Sequence, residues 1–179
     1  MGKMDNFKLI DTFDPAPIAA ELTKSQFWDW LNLRRNDPTL QHTNVKDIVL
    51  RFQSVMYDST YQTFFESLKC EDYFSQRYHP KTMNVVYDFF PIHLLGRVMV
   101  ANLKPGGYIG YHIDEGNYAK KHDRYHFVVT SNDQVSFTSG NESCYMKPGE
   151  IWWFNNQALH SVANEGTEDR IHIIVDVWK

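Results

Sequence analysis

The chain has 179 residues, a formal charge of −4 and two cysteines, Cys70 and Cys144. That length suits one domain with a real core, and two cysteines give no disulfide framework and fit a reducing compartment. A pI near 6.0 with scattered Lys and Arg argues against a nucleic-acid or membrane surface; with no long apolar run and a polar N-terminus, a cytoplasmic protein is expected.

In chain order, Asp14 can cap a helix that has Pro15 at its first position, with Ile18, Leu22, Trp28 and Leu31 along its stripe. Ile48, Leu50 and Phe52 alternate with Asp47, Val49 and Arg51, which predicts a strand. Asp58 or Ser59 opens a second predicted helix carrying Tyr61, Phe64, Phe65 and Leu68 at 3–4 spacing. Residues 1–90 are thus expected to supply helices and strands packing on a barrel built by 91–179, all within one domain.

After Pro91 the texture changes to short strands separated by turn signals. Strands are predicted near Arg97–Leu103, Tyr108–Asp114, Arg124–Thr130, Val135–Thr138, Ser143–Met146, Ile151–Phe154, His160–Val162 and Arg170–Trp178. Lys104-Pro-Gly-Gly107, Ser131-Asn-Asp133, Ser139-Gly-Asn141, Lys147-Pro-Gly149 and Asn164-Glu-Gly166 mark the turns. The rhythm predicts a mainly β fold with flanking helices, a double-stranded β-helix of the jelly-roll, cupin-like kind. On the last strand Ile171, Ile173, Val175 and Val177 should seal against the helices, while Arg170, His172 and Asp176 face the other way with Ile174.

His112 and Asp114 stand two apart, so on a strand both side chains leave one face. His160 follows Asp114 by 46 positions and Arg170 follows His160 by ten. Two histidines and a carboxylate from separate strands form the facial triad that suits non-haem Fe(II), leaving other positions open for substrate and O2. Arg170 would offer a permanently charged fork to a carboxylate beside the metal. Taken singly, His112 reads as a surface histidine and Asp114 as a loop cap; the set reads as a metal centre. Arg124 and His126 share a face of the next strand. On spacing alone they suit a solvated edge, and functionally they suit a donor clamp on a second carboxylate. Trp152, Trp153 and Phe154 read as core, and His172 and Asp176 as structural or rim residues. Glu115–Asp123 is either a lid-like contact loop or a plain solvated one.

Gly149-Glu-Ile-Trp-Trp-Phe-Asn-Asn-Gln-Ala-Leu-His160, Ser161-Val-Ala-Asn164 and Arg170-Ile-His-Ile-Ile-Val-Asp-Val-Trp178 resemble the "G-E … F-D … H-x-x-x-N … R-x-x-x-x-x-D-x-W" run of the aspartyl/asparaginyl β-hydroxylase family. Lys104-Pro-Gly-Gly-Tyr-Ile-Gly-Tyr-His112-Ile-Asp114 resembles its turn into the first metal ligand, and Arg124-Tyr-His126 its Arg-x-His motif. The likeness spans Arg97 to Trp178, about half the chain. It implies Fe(II) on His112, Asp114 and His160, with Arg170 on the distal carboxylate of 2-oxoglutarate. Arg124 and His126 would lie near the carboxylate next to the metal. Asn155 stands where the family usually has Asp, which loosens the expected support of the site. Where some members use a Ser for the co-substrate, Ala101 and Asn102 stand here, and Asn102 is a weak substitute. Some protein-modifying members lack the carboxylate ligand, so Asp114 places this chain with the full-triad subset.

The resemblance implies hydroxylation of an unactivated C–H bond, with O2 consumed and succinate and CO2 released. The substrate it suggests is a small amino acid or a peptide side chain, the small one slightly favoured. Two other readings stay open: a cupin-type metalloenzyme that does not use 2-oxoglutarate, and a jelly roll that binds a ligand without chemistry.

Overall fold

The computed structural model describes residues 4–31, 45–53, 56–57, 64–65 and 68–179. Its strands are β1 (Phe7–Thr12), β2 (Val45–Gln53), β3 (Met56–Tyr57), β4 (Phe64–Phe65), β5 (Cys70–Asp72), β6 (Leu95–Leu103), β7 (Tyr108–His112), β8 (His122–Thr130), β9 (Val135–Ser139), β10 (Glu142–Cys144), β11 (Glu150–Phe154), β12 (His160–Asn164) and β13 (Arg170–Trp178). The helices are α1 (Ala16–Thr23), α2 (Pro80–Phe89) and α3 (Gly116–Lys121).

Seven strands form the larger sheet in the order β1-β11-β8-β13-β6-β2-β5, and four form the smaller in the order β10-β9-β12-β7. Every pairing is antiparallel. The two sheets close on one another as a double-stranded β-helix. All eight strands expected after Pro91 are present, and β1, β2 and β5 extend the larger sheet from the N-terminal half. None of the described helices is long and apolar enough to cross a membrane.

Strand parity divides the core into two layers. Val98 and Val100 of β6, Phe127 and Val129 of β8, and Ile173, Val175 and Val177 of β13 pack outward against α1 and α2, where they meet Ile18, Leu22, Met83 and Val86. Each such large side chain contributes roughly 1.5–3 kcal/mol when fully buried. The residues between them turn inward: Ala101, Leu103, Val128 and Ile174 meet Ile109, Phe137 and Val162 of the smaller sheet. The outward sealing expected of Ile171, Ile173, Val175 and Val177 is what the structure has.

Three local expectations are corrected. The first helix stops at Thr23, short of Trp28 and Leu31, because the Ser25 hydroxyl accepts the Phe27 N–H at 3.1 Å and closes a turn. Its start is as read: Asp14 Oδ1 accepts the Ala16 N–H at 3.0 Å. Of the second predicted helix, 58–63 lies outside the described residues, and Phe64–Phe65 is a strand paired with Met56–Tyr57. An aromatic run at 3–4 spacing suits either state over so short a stretch. The Glu115–Asp123 segment holds α3, with Tyr118 and Ala119 buried on its inner face.

Candidate metal centre

β7 and β12 are neighbours in the smaller sheet, and their register sets His112 directly opposite His160. The two rings lie 4.2 Å apart between centroids. β7 ends at His112, so Asp114 lies just beyond the strand and not on it. Its place comes from the turn before β12: the Asp114 N–H donates to the Asn156 carbonyl at 3.2 Å, and Gln157 Nε2 donates to the Asp114 carbonyl at 3.0 Å. The ligand atoms of His112, Asp114 and His160 all lie within 4.8 Å of one another, and Asp114 Oδ1 is 3.9 Å from each Nε2.

Each ring is held for ligation. His112 Nδ1 bonds the Gly110 carbonyl at 2.8 Å and His160 Nδ1 the Ala158 carbonyl at 2.9 Å. A carbonyl only accepts, so both protons sit on Nδ1 and each Nε2 presents a lone pair. Burial lowers the pKa of His160, against the opposing pull of Asp114, and so favours the neutral form a metal needs. This donor set fits Fe(II).

Asp114 Oδ2 is occupied by Arg124, whose Nη1 donates to it at 2.8 Å. The same guanidinium grips Asp176 with two bonds, Nε to Oδ1 at 2.7 Å and Nη2 to Oδ2 at 2.9 Å. Arg124 and His126 are both buried, so the solvated-edge reading is corrected: β8 is interior to the larger sheet, between β11 and β13. Of the two readings of His172 and Asp176, burial of both removes the rim and leaves the structural one.

A small cavity lies against the two histidines, His112 and His160. Ala101, Ile109, Phe137, Phe154, Val162 and Ile174 wall it, and Arg124, His126 and Arg170 reach it with His112 and His160. Arg170 is almost fully buried, yet no described carboxylate pairs with it; its Nε has no partner. Its polar contacts are imidazoles, His172 Nδ1 at 3.0 Å and His126 Nδ1 at 3.4 Å, and its guanidinium stands 5.7 Å over the Phe137 ring. Burial without a compensating charge pushes its pKa down to about 9.

Asn102 is not in this cavity. On β6 it shares the outward parity of Val98 and Val100, and its Nδ2 donates to Asp169 Oδ2 at 2.8 Å. Its inward neighbour Ala101 lines the wall instead. Asn155 has its own support: its Nδ2 donates to Asn6 Oδ1 at 3.1 Å, and its Oδ1 accepts the Gln157 N–H at 3.2 Å. Trp152 and Phe154 belong to the inner core, and Phe154 also packs edge-on to His160 at 5.1 Å.

One group of residues had no signal in the sequence. Tyr118 of α3 is buried, and its hydroxyl accepts the Arg97 N–H at 2.6 Å. The Arg97 guanidinium lies 4.1 Å over the Tyr118 ring, which stacks on His122 at 4.0 Å, and His122 meets Trp178 at 4.4 Å. Gly96 leaves the room: a Cβ there would lie 2.9 Å from His122 Cδ2. This column ties α3, and with it the segment that carries Asp114, to the larger sheet.

Residues 23–179 match the family model for aspartyl/asparaginyl β-hydroxylase, a wider span than the motifs from Arg97 onward. Among curated proteins none matches the sequence. Among solved structures, a 2OG-Fe(II) oxygenase family oxidoreductase from Burkholderia pseudomallei aligns over 93% of this chain and 90% of its own, with TM-score 0.58 and 10% identity, a likeness of fold. A double-stranded β-helix protein from Klebsiella pneumoniae is 22% identical over 45% of this chain and 62% of its own, with TM-score 0.37.

Proposed function

Since the chain belongs to the aspartyl/asparaginyl β-hydroxylase family, we propose that it is an Fe(II)- and 2-oxoglutarate-dependent hydroxylase acting on an unactivated C–H bond of an amino acid or amino-acid side chain. The observation that carries the co-substrate is Arg170, a buried cation with no described carboxylate that lines the same cavity as His112 and His160. Leaving such a charge uncompensated is costly. An anionic ligand offsets that cost, and a dicarboxylate places its second anionic group toward the metal.

Fe(II) would be held by His112, Asp114 and His160, and 2-oxoglutarate by Arg170 with His126 beside it. With O2 they supply the oxidising power for hydroxylation, succinate and CO2 being the co-products. The protein's own part is positional. Arg124 takes one Asp114 oxygen and so aims the other, Oδ1, between the two imidazoles. We therefore assign Arg124, which also lines the cavity, first to the metal ligand, and Arg170 to the anionic end of the co-substrate. The apolar walls keep water from the reacting groups. A small amino-acid-like substrate remains the favoured one, by family resemblance.

The test is anaerobic titration of the protein with Fe(II) and then 2-oxoglutarate. A saturable visible charge-transfer band is expected, much weakened in Arg170→Ala. Bound iron without a band overturns 2-oxoglutarate use and favours a simpler cupin-type metalloenzyme.

A further inference from the structure

Three nitrogens converge behind Arg170. Its Nη2 lies 3.0 Å from His172 Nδ1 and 3.4 Å from His126 Nδ1, and the two imidazole nitrogens lie 3.1 Å apart. All three side chains are buried, so water does not arbitrate among them. A guanidinium only donates. Two ring nitrogens at hydrogen-bond distance need one proton between them, neither none nor two. The shorter contact decides where it sits. A proton on His172 Nδ1 would aim a donor at the Arg170 donor, whereas a bare His172 Nδ1 accepts from both neighbours. His172 then carries its own proton on Nε2, and His126 carries one on Nδ1. Burial, reinforced by the adjacent Arg170 charge, keeps His172 neutral, with its pKa well below the usual value.

We propose that His172 is a positioning residue of the anion pocket, holding Arg170 by one guanidinium edge and fixing the tautomer of His126. The cation is thereby oriented before any carboxylate arrives, which lowers the cost of binding one. His172 stands two residues after Arg170 on β13, so strand parity delivers both to the same interior face. The pocket's occupant rests on the 2-oxoglutarate reading; the proton arrangement does not.

Two measurements test this separately. Long-range 1H–15N correlation NMR on the metal-free wild-type protein at pH 7 reads each imidazole's protonation. His172 is expected to carry its proton on Nε2 alone and His126 on Nδ1; a proton on His172 Nδ1 overturns the assignment. The second is the anaerobic Fe(II)/2-oxoglutarate titration with two variants. His172→Phe keeps a ring but removes the acceptor, and His172→Asn returns an acceptor oxygen near the Nδ1 position. His172→Phe is expected to weaken 2-oxoglutarate binding about tenfold, the lower range for losing a partner that orients a ligand-binding group. His172→Asn recovers most of that loss, and Fe(II) affinity is the same in both. Unchanged 2-oxoglutarate affinity in a folded His172→Phe protein reduces His172 to packing and overturns the proposal. A wild-type protein with bound iron and no band sinks the co-substrate reading, while NMR still decides the role of His172. If His172→Phe does not fold, His172→Asn and the wild-type spectrum carry the test.

Discussion

Arg124 and Arg170 enter the barrel from adjacent strands, both buried, in opposite electrostatic surroundings. Arg124 faces two carboxylates. Burial pulls its pKa down, but Asp114 and Asp176 more than offset that and hold it above the ordinary value. Arg170 meets imidazoles and an aromatic ring, and burial acts on it alone. The first cation belongs to the framework, already compensated and spent on holding Asp114 and Asp176. The second meets no carboxylate among the described residues, and the proposed anion site rests on that contrast with a structural ion pair.

Truncation to methionine separates the two most strongly. Arg124→Met leaves Asp176 buried and unpaired, and breaking a buried pair in this way costs about 3–5 kcal/mol. At roughly 2–4 °C per kcal/mol for a chain of this size, the unfolding midpoint of the metal-free protein is expected to fall by about 6–20 °C. Arg170→Met removes an uncompensated charge and keeps the hydrophobic volume, so its midpoint is expected to hold or rise. Thermal unfolding of the two variants side by side is the check; equal losses would erase the distinction.

Ligand binding sharpens it from the other side. A ligand at a hundred times its Kd stabilises the folded state by about 2.7 kcal/mol. With a redox-inert divalent metal present, 2-oxoglutarate at that level is expected to raise the wild-type midpoint by roughly 5–11 °C. In Arg170→Met the rise should vanish at the same concentration. A rise that survives there would mean the anion is held elsewhere in the barrel.

The barrel was legible in the sequence because its strands are short, alternating and bracketed by Gly, Pro and Asn turns; β13 runs over the residues expected for it, Arg170–Trp178. Residues whose role follows from strand parity were equally legible, as the inward set Arg170, His172, Ile174 and Asp176 shows. What escaped depends on partners distant in the chain. The Arg124 motif points to a co-substrate in the sequence, and only the fold brings Asp114 and Asp176 to its two sides. Asn102 and Ala101 differ by one position, and the facing of β6 chooses the alanine. His172 gained its meaning from a ring on another strand. The polar string of 115–123 hid a helix, because its only buried apolar residues, Tyr118 and Ala119, are adjacent and show no period, and the surroundings of Tyr118 are set by Gly96, Arg97 and His122.

That helix is the mildest test of the comparison. The Tyr118 hydroxyl accepts the buried Arg97 N–H and also a hydrogen bond from the Cys70 thiol at 3.7 Å. Tyr118→Phe keeps the ring stacked between Arg97 and His122 and deletes only that acceptor. Leaving the Arg97 N–H unpaired, together with the weaker thiol donor, costs about 1–3 kcal/mol, which urea unfolding of the metal-free protein would resolve. Arg124 and Arg170 keep every contact in that variant, so affinities for Fe(II) and 2-oxoglutarate are expected to stay at their wild-type values. A stability loss without an affinity loss would group the Tyr118 column with Arg124, as framework that holds the Asp114 segment in place. A marked loss of 2-oxoglutarate affinity would instead extend the anion site across the whole barrel interior, and Arg170 would no longer stand apart.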